Sequence, residues 1–113
     1  MSKHYIELLK HILDECNFIQ DVITSELTKN DFLDNETLKR AVVRSLEIIG
    51  EATKKIPADI KCRWKEVQWR NMAGMRDKLI HDYFGINYSI VWDVIKNKIP
   101  ELTKQIEKVL NGN

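Results

Sequence analysis

Residues 38–56 read LKRAVVRSLEIIGEATKKI, and the period of their apolar side chains decides the class of fold. Leu38, Ala41, Val42, Ser45, Leu46, Ile49, Ala52 and Ile56 recur at three- and four-residue steps, which places them on one face of an α-helix. A half-buried strand would need alternation, and no segment of the chain sustains it. Gly50 interrupts the run at some cost in helix propensity, a cost often accepted where a second helix must approach closely.

The same period extends in both directions. Upstream, Tyr5, Leu8, Leu9, Ile12, Cys16, Ile19, Ile23 and Leu27 form one stripe, and TKNDFLDN (28–35) supplies turn residues in which Asp34 or Asn35 can cap the next helix. Downstream, Pro57 breaks the pattern, and residues 57–68 read as a short helix or turn followed by a loop. A third long helix is expected from near Trp69 to about Phe84, ended by Gly85. Asn87 or Ser89 can cap the last one, whose apolar residues Val91, Trp92, Ile95, Ile99, Leu102, Ile106 and Val109 stay on one arc through Pro100. That continuity means one kinked helix or two nearly collinear ones. The expected fold is all-α: a compact antiparallel bundle of four to five helices with a proline-kinked C-terminal helix.

Composition sets the outer limits. A chain of 113 residues suits one domain, residues 1–113, around a single core. With 43% hydrophobic and 31% charged residues it is not disordered, and no apolar run approaches the ~20 residues of a membrane span. The N-terminus MSKHYIELLKHILDEC threads acidic residues among its apolar ones, unlike a signal peptide. Cys16 and Cys62 lack metal-ligand spacing and read as reduced thiols of a cytoplasmic protein. The net charge is only +1, so any recognition of phosphate must come from a local cluster.

One stretch conflicts with simple packing. It is GMRDKLIHDYFGI (74–86): on a helical wheel of residues 72–84, Met72, Ala73, Leu79, Ile80 and Tyr83 define an apolar arc with Arg76 in its middle. Asp77 and His81, four apart, share the flank of that arc, and Arg70 and Lys78 fall near it. An unpaired arginine there would cost several kcal/mol. Either it pairs with a carboxylate such as Glu51 or Glu47, or the face borders a cleft, such as one at a subunit interface, where the guanidinium meets an anion. The neighbours suit the second reading: a guanidinium fork fits phosphate, and a histidine moves protons near neutral pH. Taken alone, His81 reads by default as a helix-surface or capping residue, and only the combination points to chemistry.

R-D-K-L-I-H-D-Y (76–83) resembles the R-x4-H-x-Y signature of the HepT-like toxins, a minimal branch of the HEPN superfamily found beside an MNT-type nucleotidyltransferase antitoxin. The resemblance covers nearly the whole chain, through LEIIGEATKKI (46–56), WRNMAGMRDKLIHDYFGI (69–86) and VWDVIKNKIPELTKQIEKVL (91–110). It implies a type VII-like toxin that acts as a metal-independent ribonuclease without a cofactor. Arg76 and His81 match the catalytic pair: His81 as general acid or base, Arg76 as stabiliser of the phosphorane. Asp77 takes a supporting position that is often asparagine in relatives. Tyr83 matches the tyrosine to which the partner transferase adds AMP. The resemblance also implies a homodimer in which two motifs face one cleft, with Glu51, Arg70 and Lys78 as further candidates for its lining, and a larger complex with the antitoxin.

The remaining polar residues read more plainly. Arg40, Arg44, Glu47 and Glu51 form a solvated, salt-bridged face, or else Glu51 positions Arg76. His4 and His11 read as surface residues with no ligand partner at metal spacing. Trp69 and Trp92 read as core or interface anchors, and Lys54 and Lys55 as solvated. Within that resemblance a rival function stays open: a non-catalytic nucleotide-binding or regulatory subunit complexed with a nucleotidyltransferase, a reading that the near-zero net charge favours.

Overall fold

The amphipathic stripes pack against one another in the computed structural model, which describes residues 4–80 and 85–112 apart from the side chains of Arg76 and Ile80. The first long helix, α1 (His4–Val22), turns Leu8, Leu9, Ile12, Cys16 and Ile19 inward. After a short helix α2 (Lys29–Leu33), α3 (Glu36–Lys54) packs on α1 and on α5 (Trp69–Ile80). A short α4 (Ala58–Arg63) lies between α3 and α5 in the chain. The last rod comprises α6 (Tyr88–Asp93), a π turn (Val94–Lys98) and α7 (Ile99–Asn111), and α7 closes the bundle against α1. No helix of the described residues is long and apolar enough to cross a membrane.

Lying between α1 and α5, α3 is buried over a wider arc than its stripe alone. Val43, Thr53 and Lys39 join Val42, Ser45, Leu46, Ile49 and Ala52 inside. The polar members are satisfied locally. Thr53 donates its hydroxyl to the Ile49 carbonyl at 2.7 Å, and Lys39 Nζ meets Glu36 at 2.7 Å while lying 4.6 Å from the Tyr88 ring centroid. Between α1 and α7, Gln20 donates to the Thr103 hydroxyl at 2.6 Å, and that hydroxyl donates to the Ile99 carbonyl at 2.8 Å.

Two local features differ from the sequence reading. The stretch 28–35 is not merely a turn, because Thr28 and Asp31 form a reciprocal capping box that starts α2. That single turn of helix drives Phe32 into the core, fully buried, and Asn35 then caps α3 by accepting from the Leu38 N–H at 3.0 Å. In the last rod, proline cannot donate a hydrogen bond and its ring crowds the preceding turn. The chain widens to a π turn just before it, with the Ile99 N–H donating to the Val94 carbonyl, and Pro100 falls in the first turn of α7. The apolar arc therefore continues, with Val91, Ile95, Ile99, Leu102, Ile106 and Val109 all buried.

Candidate functional site

The candidate motif rides on α5, and its start is anchored by tryptophan. Trp69 is buried, and its indole N–H donates to the Trp64 carbonyl at 2.9 Å, tying the helix to the loop before it. From that anchor the helical period carries Met72 and Leu79 into the core, at 6% and 4% exposure. Arg76 stands four residues after Met72 and three before Leu79, the register that the apolar arc requires. Its side chain, and the whole of His81 and Tyr83, lie outside the described residues, as does the expected continuation of the helix to Phe84. Gly85 follows with φ +125°, a conformation that favours glycine at the end of this segment.

The polar residues around the motif divide between two neighbours. Asp77 reaches toward α3, where Lys54 Nζ lies 3.7 Å from its carboxylate. Lys54, read from sequence as solvated, thus brings a cation to the carboxylate beside Arg76; both side chains are well exposed, so the pair adds little stability. On α3, Glu47 accepts from Arg44 at 3.5 Å, in keeping with a salt-bridged face. Glu51 is exposed on the same helix, one turn before Lys54.

Arg70 and Lys78 go the other way. They line a groove of about 430 Å³ between α5 and the α6–α7 rod. Met72, Met75 and Leu79 contribute from α5, and Ile90 and Leu102 from the rod. Of the three candidates for a cleft, the structure brings Arg70 and Lys78 together here and leaves Glu51 off the lining. The groove also draws in Lys98, Asp93 and Glu101, which the sequence reading passed over. They share the lining only because the last rod runs alongside α5 across the groove, and one-dimensional spacing carries no trace of that. Lys98 sits at the end of the π turn, so the accommodation of Pro100 also sets where this cation stands.

Comparison with known proteins bears on what such an arrangement belongs to. A family model described as "Ribonuclease HepT-like" matches residues 3–109. The protein named "Putative RNase TTE0752", from Caldanaerobacter subterraneus subsp. tengcongensis, is 49% identical over 102 residues, 90% of either chain. In Methanocaldococcus jannaschii, "Putative RNase MJ0127" is 44% identical over 105 residues, covering 93% of this chain and 80% of the relative. "Probable ribonuclease HepT" of Thermococcus cleftensis is 42% identical over 109 residues, 96% of this chain and 98% of its own. No solved structure matches. The family match spans nearly the whole chain and these relatives exceed 40% identity, so the chain belongs to the HepT-like family of the HEPN superfamily.

Proposed function

We propose that this protein is the toxin of a type VII-like HEPN/MNT toxin–antitoxin pair, a dimeric ribonuclease that cuts cellular RNA without a metal ion. The observation that carries the proposal is the coincidence of two facts. Relatives aligned over nearly the whole chain bear ribonuclease names, and Arg76, His81 and Tyr83 stand here at the R-x4-H-x-Y spacing.

The chemistry needs no protein nucleophile. A ribose 2′-hydroxyl attacks its own phosphodiester, the bond to the 5′-oxygen breaks, and the products carry a 2′,3′-cyclic phosphate and a 5′-hydroxyl. Imidazole suits both proton transfers near neutral pH: neutral His81 takes the 2′ proton as a base, and protonated His81 gives one to the departing oxygen. In a dimer with two motifs on one cleft, one copy supplies each form. Arg76 stabilises the charge that gathers on the phosphorane oxygens. Asp77 takes a supporting position beside Arg76, and the Lys54 cation 3.7 Å from its carboxylate offsets its repulsion of phosphate. Transfer of AMP to Tyr83 by an MNT-type nucleotidyltransferase adds a phosphate near Arg76, which blocks the cleft by occupancy and by charge.

Expression in a host lacking the antitoxin tests the toxin reading. Wild type should arrest growth, whereas Arg76→Ala and His81→Ala, expressed to the same soluble level, should not. Equal harmlessness of all three would shift the assignment to a non-catalytic subunit of a nucleotidyltransferase complex.

A further inference from the structure

The groove between α5 and the α6–α7 rod carries charges that pair with no other described residue. Arg70, Lys78 and Lys98 stand on its lining, and none of the three forms an ion pair with another described residue. The two carboxylates on the lining already accept hydrogen bonds: Asp93 from the Asn97 amide at 2.7 Å, and Glu101 from the Gln105 amide at 3.4 Å. Three cations against two carboxylates leave this lining with positive charge in excess, on a chain whose overall charge is near zero.

Beside the cations lies apolar surface that no described residue covers. Ile90 is 39% exposed, one of two large apolar side chains so exposed among the described residues, and it shares the groove with Met75. A ligand that answers both features has flat, apolar parts spaced along an anionic backbone. A single nucleic-acid strand has that form, with one phosphate for every base. A protein segment would have to present acidic side chains matched to three separate cations. The position along the chain agrees, since Lys78 follows Arg76 by two residues and precedes His81 by three on the same stretch.

We propose that this groove holds the single-stranded RNA flanking the scissile phosphate, with backbone phosphates on Arg70, Lys78 and Lys98 and bases against Met75 and Ile90. The proposal rests on the ribonuclease reading and adds to it a substrate-binding site apart from the R-x4-H-x-Y motif. Thioether and aliphatic contacts adapt to any base, so the groove binds with little sequence preference of its own. Selectivity in cutting then comes from elsewhere.

The test measures binding without cleavage. Fluorescence anisotropy of a labelled single-stranded RNA of about 12 mixed nucleotides is followed with the full-length His81→Ala chain as parent. Adding Lys98→Glu should weaken binding on the order of tenfold, and losing one phosphate contact should lower the salt slope by about 0.7. Adding Ile90→Ser should weaken it several-fold with the slope unchanged. Lys104→Glu reverses an exposed charge of α7 off the groove lining, and it should shift affinity less than twofold. Equal effects of Lys98→Glu and Lys104→Glu, or no measurable binding by the parent, would overturn the proposal. A change in oligomeric mass caused by Lys98→Glu, with RNA affinity intact, would overturn it in favour of a protein interface. Cleavage of the same RNA by wild type keeps the two claims separate. Cutting with an unchanged KM in Lys98→Glu sinks the groove alone. Failure of wild type to cut sinks the ribonuclease reading and leaves the groove to the binding data.

Discussion

Replacing Phe32 with alanine should cost this protein a large part of its stability, although the residue lies in a helix of only five residues. Phe32 is fully buried, tilted against Trp92 at 5.4 Å between ring centroids and edge-on to Tyr88 at 6.5 Å. It is what fastens α2 to α6, the helix that forms one wall of the groove. Truncating a buried phenylalanine typically costs about 3–5 kcal/mol, of which each aromatic pair supplies roughly 0.5–1.5 kcal/mol. At an unfolding entropy of about 2.1 cal/mol/K per residue, a chain of this length loses about 4 °C of Tm per kcal/mol. Phe32→Ala should therefore lower Tm by about 12–20 °C in thermal unfolding followed by circular dichroism. Phe18→Ala, at a site 40% exposed on α1, should shift it by less than about 4 °C. A double-mutant cycle of Phe32→Leu with Trp92→Leu should return a coupling of about 0.5–1.5 kcal/mol. Equal Tm values for Phe32→Ala and Phe18→Ala would refute the packing assigned to α2.

Burial pushes the Cys16 thiol up to about 12, against a lowering hydrogen bond with Thr103, while Cys62 is exposed. Iodoacetamide at pH 8 should thus modify one thiol per folded chain and both after denaturation, read by mass spectrometry; early loss of both would contradict the burial. The same thiol makes stability pH-dependent. Its folded value lies above its unfolded one near 9, so this contribution is complete below pH 9 and is lost as pH rises toward 12. Cys16→Ala should remove up to about 1.4 kcal/mol per pH unit from the alkaline slope of urea-unfolding free energy. Lys54→Ala, which breaks an exposed pair with Asp77, should cost less than about 1 kcal/mol by the same assay. With the cognate nucleotidyltransferase and ATP, wild type should gain mass in AMP units and Tyr83→Phe should not; addition at another residue would end that assignment.

Most of the bundle was legible because its stripes are long. The α1 and α3 periods and the arc running through Pro100 each repeat over several turns; burial follows the α1 stripe and the last arc closely, and on α3 it spreads beyond the stripe to Lys39, Val43 and Thr53. Helix α2 was hidden because five residues are too few for a period to emerge, and its Thr, Asn and Asp residues are also those of turns. The visible clue was Thr28 three residues before Asp31, with Phe32 alone among polar neighbours. At Pro100 the apolar arc forecast continuity correctly, but the device that permits it, a π turn, leaves no mark in residue type. In the candidate site, the register of Arg76 between Met72 and Leu79 could be read directly. The Lys54–Asp77 pair and the placing of Lys78 and Lys98 on one groove lining could not, because each joins elements far apart in the chain.

The most direct test of the central claim is cleavage of total cellular RNA by purified wild type and His81→Ala, both in excess EDTA. The account predicts discrete fragments from wild type alone, ending in 2′,3′-cyclic phosphates and 5′-hydroxyls. Identical RNA patterns from the two proteins, whether intact or degraded, would contradict it.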